Sequence, residues 1–203
     1  MDKENYIFGA SGHAKVIVEN LKSNHIVVDA IIDDNPKSEF ILNIPVVHSK
    51  DFSFSDEMSF IIAIGDNAIR KRIVSQNQFK YLKSFHSSST ISNTALIGEG
   101  TVIMPQVVIN AEAKVGKHCI LNSRSVIEHD CVLEDYVHIS PNASLAGNVT
   151  VGEGSHIGIG SCVIQGIKIG KWTTIGAGAV IINDVPDHAV VVGNPGKIIK
   201  ITL

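Results

Sequence analysis

The chain has 203 residues, 44% of them hydrophobic and only 5% aromatic, with a formal charge of −3. That length admits one or two domains, and the near balance of charge gives no electrostatic reason to expect nucleic acid or an anionic membrane as partner. No apolar run approaches the roughly 20 residues of a spanning helix, and the opening MDKENYIFGASG lacks the plan of a secretory signal, so a cytoplasmic protein is expected. Cys119, Cys131 and Cys162 lack metal spacing and read as packing residues in a reducing compartment.

Residues 1–84 read as a small βαβ domain. Tyr6-Ile7-Phe8 is a short apolar run followed by Gly9-Ala10-Ser11-Gly12-His13. Ala14, Ile17, Val18 and Leu21 then have the spacing of one buried helix face. A second apolar run, Ile26 to Ile32, ends in Asp33-Asp34, and a third, Met58 to Ile64, ends in Gly65-Asp66-Asn67. Ala68 to Gln76 predicts another helix, carrying Arg70, Lys71 and Arg72. This order predicts a parallel sheet of Rossmann-like character, with functional loops 9–13, 33–34 and 65–67 at the carboxyl ends of its strands. The G-x-x-G turn is by itself a weak signal. It serves either as a tight β–α turn or as a ring of backbone N–H groups facing a phosphate. Asp33 and Asp34 are either a solvated turn or acceptors for a ribose or for the N–H of a base.

A polar cluster at 84–89 marks the passage into residues 85–203, where the grammar changes. Sixteen aliphatic residues stand six apart without a break, from Ile91, Ile97 and Ile103 through Ile127 and Leu145 to Ile175 and Ile181. Four residues after almost every one stands a small one, among them Ala113, Cys119, Ser125 and Ala143. The residue directly after the aliphatic is often glycine: Gly98, Gly116, Gly152, Gly158, Gly170 and Gly176. Such a period predicts a parallel β-helix in which three hexads make one triangular coil. The aliphatic residue points inward, the small one sits near a corner, and the glycine is expected to permit a tight turn with positive φ. The period does not set the hand of the coil.

Two features interrupt the pattern. His138 and His156 are eighteen residues apart, so their rings should stack on one face of adjacent coils. His129 lies between Glu128 and Asp130; a carboxylate that holds an imidazole fixes its tautomer and raises its basicity, which suits a general base. The spacing does not choose between the two carboxylates. His118 and His188 read as solvated surface residues. A zinc site through His129, His138 and His156 lacks a local ligand motif, so no metal is expected.

Residues 120–152, ILNSRSVIEHDCVLEDYVHISPNASLAGNVTVG, resemble the active-site coil of the nucleotide-sugar acetyltransferases, left-handed hexapeptide-repeat enzymes that include those of the bacillosamine pathway. Gly9–His13, Asp33–Asp34 and Ile62–Asn67 match further motifs of that family, and Gly193–Lys197 resembles its closing G-x-P-A-K with Gly196 in place of alanine. The resemblance implies a left-handed β-helix and an acetyl-CoA-dependent transfer to the 4-amino group of a UDP-linked sugar. It gives His129 the role of general base, with Asp130 at the family's acidic position. His138 would contact acetyl-CoA near the thioester, and Gly147, Ile159 and Ala177 would line its path. Ser11, Gly12, His13, Asp33, Asp34 and Gly65 would hold the nucleotide sugar. The family also implies a homotrimer with active sites between subunits. The alternative acceptor is a sugar hydroxyl, as in the sialic acid O-acetyltransferase branch.

Overall fold

The computed structural model describes residues 4–202. Its first part is a six-stranded sheet of β1 (Asn5–Phe8), β2 (Ala30–Asp33), β3 (Phe40–Ile41), β4 (Ile44–His48), β5 (Ser59–Ile62) and β6 (Lys80–Tyr81). The order is β3-β4-β2-β1-β5-β6, parallel except for the β3–β4 hairpin. Helices α1 (Gly12–Lys22) and α2 (Asn67–Gln76) follow β1 and β5. Three strands escape the sequence reading. β3 and β6 are two residues long, too short to show a period, and Pro45 interrupts the apolar pattern of β4.

Alternation along the strands sends Ile7, Ile31 and Ile61 to the face that α1 covers with Ala14, Ile17, Val18 and Leu21. Tyr6, Phe8, Phe60 and Ile62 form the other face, packed by Ile73 of α2 and by the rings of Phe52, Phe79 and Tyr81. The strand order reverses at β1, so the loops after β1 and β5 flank the switch point where α/β sheets take ligands.

From Ser84 onward the chain winds as a left-handed parallel β-helix of two-residue strands. The first wall stacks Ser84–Phe85, Val102–Ile103, Ile120–Leu121, His138–Ile139, His156–Ile157 and Thr174–Ile175. The second stacks Thr90–Ile91, Val108–Ile109, Val126–Ile127, Ser144–Leu145, Cys162–Val163 and Val180–Ile181. The third stacks Leu96–Ile97, Lys114–Val115, Val132–Leu133, Thr150–Val151 and Lys168–Ile169. The hexad aliphatics from Ile103 to Ile181 are buried, as is the small register from Thr101 to Ala179. Phe85 pairs with Ile103 and carries the inward register one hexad further back than the aliphatic run. Two C-terminal strands, Ala189–Val192 and Lys197–Ile201, extend the first wall, the last of them antiparallel.

Three expectations need correction. The glycines after the aliphatic residues do not take positive φ; that conformation falls two residues later, at Gly100, Gly154, Gly160 and Gly178 and at Arg124, Asp130 and Tyr136. Gly98 and Gly152 are required by closeness instead: a Cβ there would stand 2.5 Å from the Gly116 backbone and 2.6 Å from Lys171 N. Cys119 and Cys131 are buried packing thiols, but Cys162 is exposed, because it precedes the inward Val163 and so faces outward. His118 is not solvated; it is 2% exposed, stacked on Tyr136 at 5.4 Å and set edge-on to Tyr81 at 4.5 Å. It stands at the corner between the third and first walls, which the N-terminal sheet domain covers. His188 is exposed, as expected.

Candidate active site

Glu128, His129 and Asp130 form the turn from the second wall to the third. Ile127 points inward, so the next three residues round the corner with their side chains outside the prism. Asp130 has φ 61°, a conformation that aspartate tolerates better than most residues. The bent backbone brings Asp130 Oδ2 to 2.7 Å from His129 Nδ1. Glu128 turns the other way and accepts a hydrogen bond from Asn110 Nδ2 at 2.8 Å. The structure therefore selects Asp130 as the partner of the imidazole. Its hydrogen bond is the largest cause and holds His129 above the usual histidine pKa against an opposing desolvation, with the charges of Asp130 and Glu128 adding to the rise. With Nδ1–H engaged, Nε2 carries the lone pair at the exposed edge of the ring. Gly147 lies one coil further on. A Cβ there would stand 2.6 Å from His129 Cε1 and 2.7 Å from Nε2, so the glycine is what lets the ring lie flat against the next coil.

The first wall presents a different set. His138 and His156 pair in register and stack at 4.7 Å with 12° between their planes. His156 Nε2 is 2.7 Å from Ser140 Oγ, and His138 Nε2 lies 3.5 Å from Asn122 Nδ2. The His138 ring donates to the carbonyl of Gly65, which places the loop after β5 against the wall. Burial, then His156, Arg70 and His13, push the His138 pKa down to about 3 against that hydrogen bond. His13, in the first turn of α1, is pushed to about 4 by burial and then by Arg70. Its Nε2 is buried and has no partner among the described residues. His156 is lowered by the same two causes.

The sheet loops complete this side. Gly9 has φ 109°, and a Cβ there would stand 2.7 Å from Ile64 Cδ1, so only glycine lets the first loop approach the third. Ser11 precedes α1 without a side-chain cap, and open space surrounds Gly12; the exposed N–H groups of the helix start are therefore free to receive an anion. Asp33 accepts from Ala10 N at 2.6 Å and from Asn35 N at 2.8 Å, and Asp34 accepts from Ser49 Oγ at 2.6 Å. Asp33 thus serves the turn, tying the loop after β2 to the glycine turn.

The sequence reading gave α2 no role, yet α2 fastens the sheet domain to the prism. Arg70, 1% exposed, donates from Nε to His118 O at 2.9 Å, from Nη1 to Ile64 O at 2.9 Å and from Nη2 to Asn67 Oδ1 at 2.8 Å and Tyr136 O at 2.9 Å. Asn67 Nδ2 donates to Gly154 O at 2.9 Å. Lys71 pairs with Glu153 and lies over the rings of Tyr136 and Trp172 at 5.9 and 5.4 Å. A cationic helix face usually reads as solvated, and no spacing distinguishes a guanidinium that reaches carbonyls distant in sequence.

The expected site residues thus fall into separate groups. His13, Gly65 and His138 meet at the first wall. Ile159 and Ala177, both exposed, occupy the adjoining corner between the first and second walls, one coil apart. His129, Asp130 and Gly147 lie at the corner opposite the first wall. One chain therefore does not bring its own His129 to its own sheet loops. Among the described residues no group of three or more His, Cys, Asp or Glu is placed to hold a metal ion, and no helix is long and apolar enough to cross a membrane.

Residues 6–77 match the family model of the PglD N-terminal domain, and residues 94–129 match that of the bacterial transferase hexapeptide (six repeats). A GDP-perosamine N-acetyltransferase of Caulobacter crescentus, solved with CoA and GDP-perosamine and with one histidine replaced by alanine, is 35% identical over 96% of both chains, at a TM-score of 0.89. The acetyltransferase domain of PglB from Neisseria gonorrhoeae, solved with acetyl coenzyme A, is 35% identical over 98% of this chain and 100% of that one, at 0.92. The UDP-N-acetylbacillosamine N-acetyltransferase of Bacillus subtilis is 39% identical over 48% of this chain and 50% of its own length. The chain spans about half the length of the curated relatives it matches.

Proposed function

Because this chain belongs to the hexapeptide-repeat sugar acetyltransferases, we propose that it transfers the acetyl group of acetyl-CoA to the 4-amino group of a nucleotide-linked amino-dideoxy sugar, for glycan or polysaccharide assembly. The observation that carries the mechanism is His129, held by Asp130 at 2.7 Å and seated over Gly147. In this reading the neutral amine attacks the thioester carbonyl, and His129 Nε2 takes the proton that the amine sheds as it becomes cationic. Backbone N–H groups or a histidine beside the thioester stabilise the oxyanion. The C–S bond then breaks and the coenzyme A thiolate leaves, to be reprotonated. Neither a metal nor an acyl-enzyme takes part.

The placement of the residues supports a homotrimer. His138, Ile159 and Ala177 would take the donor along one protomer's first wall and the adjoining corner. The partner's opposite corner would supply the base. The sheet domain, residues 1–84, would hold the nucleotide through Ser11, Gly12, His13, Asp33, Asp34 and Gly65, and residues 85–203 would form the donor-binding and catalytic domain. UDP is the carrier this reading favours, supported by the likeness to the Bacillus enzyme. GDP is the second, favoured by the perosamine enzyme of Caulobacter, which matches over nearly its full length. The free thiols of Cys119 and Cys131 suit a cytoplasmic setting.

A screen of acetyl-CoA against UDP-, GDP- and dTDP-linked amino sugars, read as thiol release, tests the proposal. Release with one carrier, competed by the matching free nucleotide, is the expected result. Release with a free sugar and no nucleotide competition would transfer the chain to the O-acetyltransferase alternative.

A further inference from the structure

The stacked pair on the first wall includes a residue that the reaction above does not use. His156 stands one coil below His138 and covers the face of its ring at 4.7 Å. Its own position is fixed by Ser140, itself only 6% exposed, through the 2.7 Å contact to Nε2. His138 is in turn bounded on its other sides by Asn122 of the coil above and by the Gly65 carbonyl of the sheet domain. We propose that His156 is a positioning residue: clamped by Ser140, it backs the His138 ring and aims it at the loop that carries Gly65, so that donor and acceptor sites keep a fixed register. This rests on the reading that His138 lies beside the thioester.

The physical case has three parts. An unbacked imidazole on a β-helix wall turns about its χ2, which is a broad torsion; a parallel ring 12° away removes that freedom. A hydroxyl bonded to Nε2 fixes which way the second ring faces. Two imidazoles this close cannot both carry charge, and the groups facing them, His13 from α1 and Arg70 from α2, are basic as well. The stack therefore works as a neutral unit, with the one N–H of His138 given to the Gly65 carbonyl and the ring held by its neighbours.

The test compares His156→Ala, His156→Phe and Ser140→Ala in the full-length enzyme. His156→Ala should lower kcat by about ten- to a hundred-fold, the scale of a small misplacement at a reacting centre, with KM for the nucleotide sugar unchanged. His156→Phe keeps a backing ring and should restore most of that loss. Ser140→Ala should fall between them. A second readout is independent of activity: in NMR of histidine-labelled protein, the His138 ring signals should shift and broaden in His156→Ala, where the backing ring is gone, and return toward the wild type in His156→Phe. Wild-type kcat in His156→Ala, or a loss that Phe does not restore, overturns the inference, as do His138 signals unchanged in His156→Ala. Absence of thiol release in the wild type with every acceptor would instead overturn the proposed function, and the NMR comparison would still decide the positioning role.

Discussion

The corner at His129 and the wall at His138 use one residue type in opposite ways. At the corner the imidazole stands in solvent beside a carboxylate, and its pKa rises. On the wall it is covered by a second ring and by the sheet domain, and its pKa falls to about 3. The lesson is that what covers the ring decides whether a histidine takes a proton or refuses one: His118, at a corner that the sheet domain covers, is lowered like the pair on the wall. A pair of titratable groups driven apart in this way is the signature of divided acid–base and binding roles. The most severe way to break the contrast is His129→Ala. General base assistance is worth about 10²–10⁴ in rate, so kcat should fall by at least that order while thermal unfolding stays unchanged. Retention of wild-type kcat would leave the corner with no catalytic role.

The buried histidines on the domain-facing side make the next largest prediction, one of stability. His118 is pushed down to about 4 by burial, with Arg70 and Lys117 adding to that and Glu99 and Asp135 opposing it. His13 and His138 are lowered as well. In each case the unfolded chain binds a proton near pH 6.5 that the folded chain refuses until about pH 4 or below. The folded state therefore has its full stability above about pH 6.5 and loses it as pH falls toward the folded values. For His118 alone the loss at pH 5 is about 1–2 kcal/mol. Urea midpoints at pH 7 and pH 5 should differ less in His118→Asn than in wild type, since asparagine suits the positive φ of 53° at this position. Equal differences in the two proteins would remove buried His118 as the cause.

On the corner side the sign reverses for activity. His129 must be neutral to accept a proton, so kcat/KM should decline as pH falls through a value above 6.5. Asp130→Asn removes the largest cause of that elevation. It should shift the acid limb to lower pH and reduce kcat by about ten-fold, the lower part of what a positioned base supplies. Glu128→Gln should shift the limb less, because Glu128 is bonded to Asn110 and acts on the ring only through space. An acid limb unmoved in Asp130→Asn would mean that another group titrates.

How much of this was legible beforehand follows from how local each feature is. The hexad run from Ile91 to Ile181 sets strands, walls and corners by period alone, and it also foretold the His138–His156 stack. The strongest catalytic signal, Glu128-His129-Asp130, is contiguous, so sequence supplied the set, but only the backbone bend at Asp130 chose the partner. Gly98 and its register are legible as glycines, yet their cause, the closeness of the next coil, is not, because the period does not show which residue of the turn takes positive φ. His118, Arg70 and Lys71 were beyond reach for one reason: each is defined by a contact between the sheet domain and the prism. Arg70 meets Tyr136 O, and no period connects residues so far apart.

The gentlest probe of the contrast is Gly147. The added methyl of Gly147→Ala would come within 2.7 Å of His129 Nε2 and 2.6 Å of Cε1, closer than unbonded atoms allow, so the ring must lift. It is exposed on its outer side and has room to do so, and the Asp130 hydrogen bond resists the movement from one atom only. Stability should therefore change by less than about 0.5 kcal/mol, as for an ordinary surface substitution. The cost should instead appear in kcat, about three- to ten-fold, as a base displaced by a fraction of an ångström loses alignment. Just after the first wall, where the turn begins, Gly158 offers the opposite case: a Cβ there would meet the Ile175 carbonyl at 2.5 Å, with no side chain to give way. Gly158→Ala should thus lower stability, whereas Gly147→Ala lowers turnover. If the two variants behaved alike, the distinction between a glycine that seats the candidate base and a glycine that the next coil's backbone requires would lose its footing.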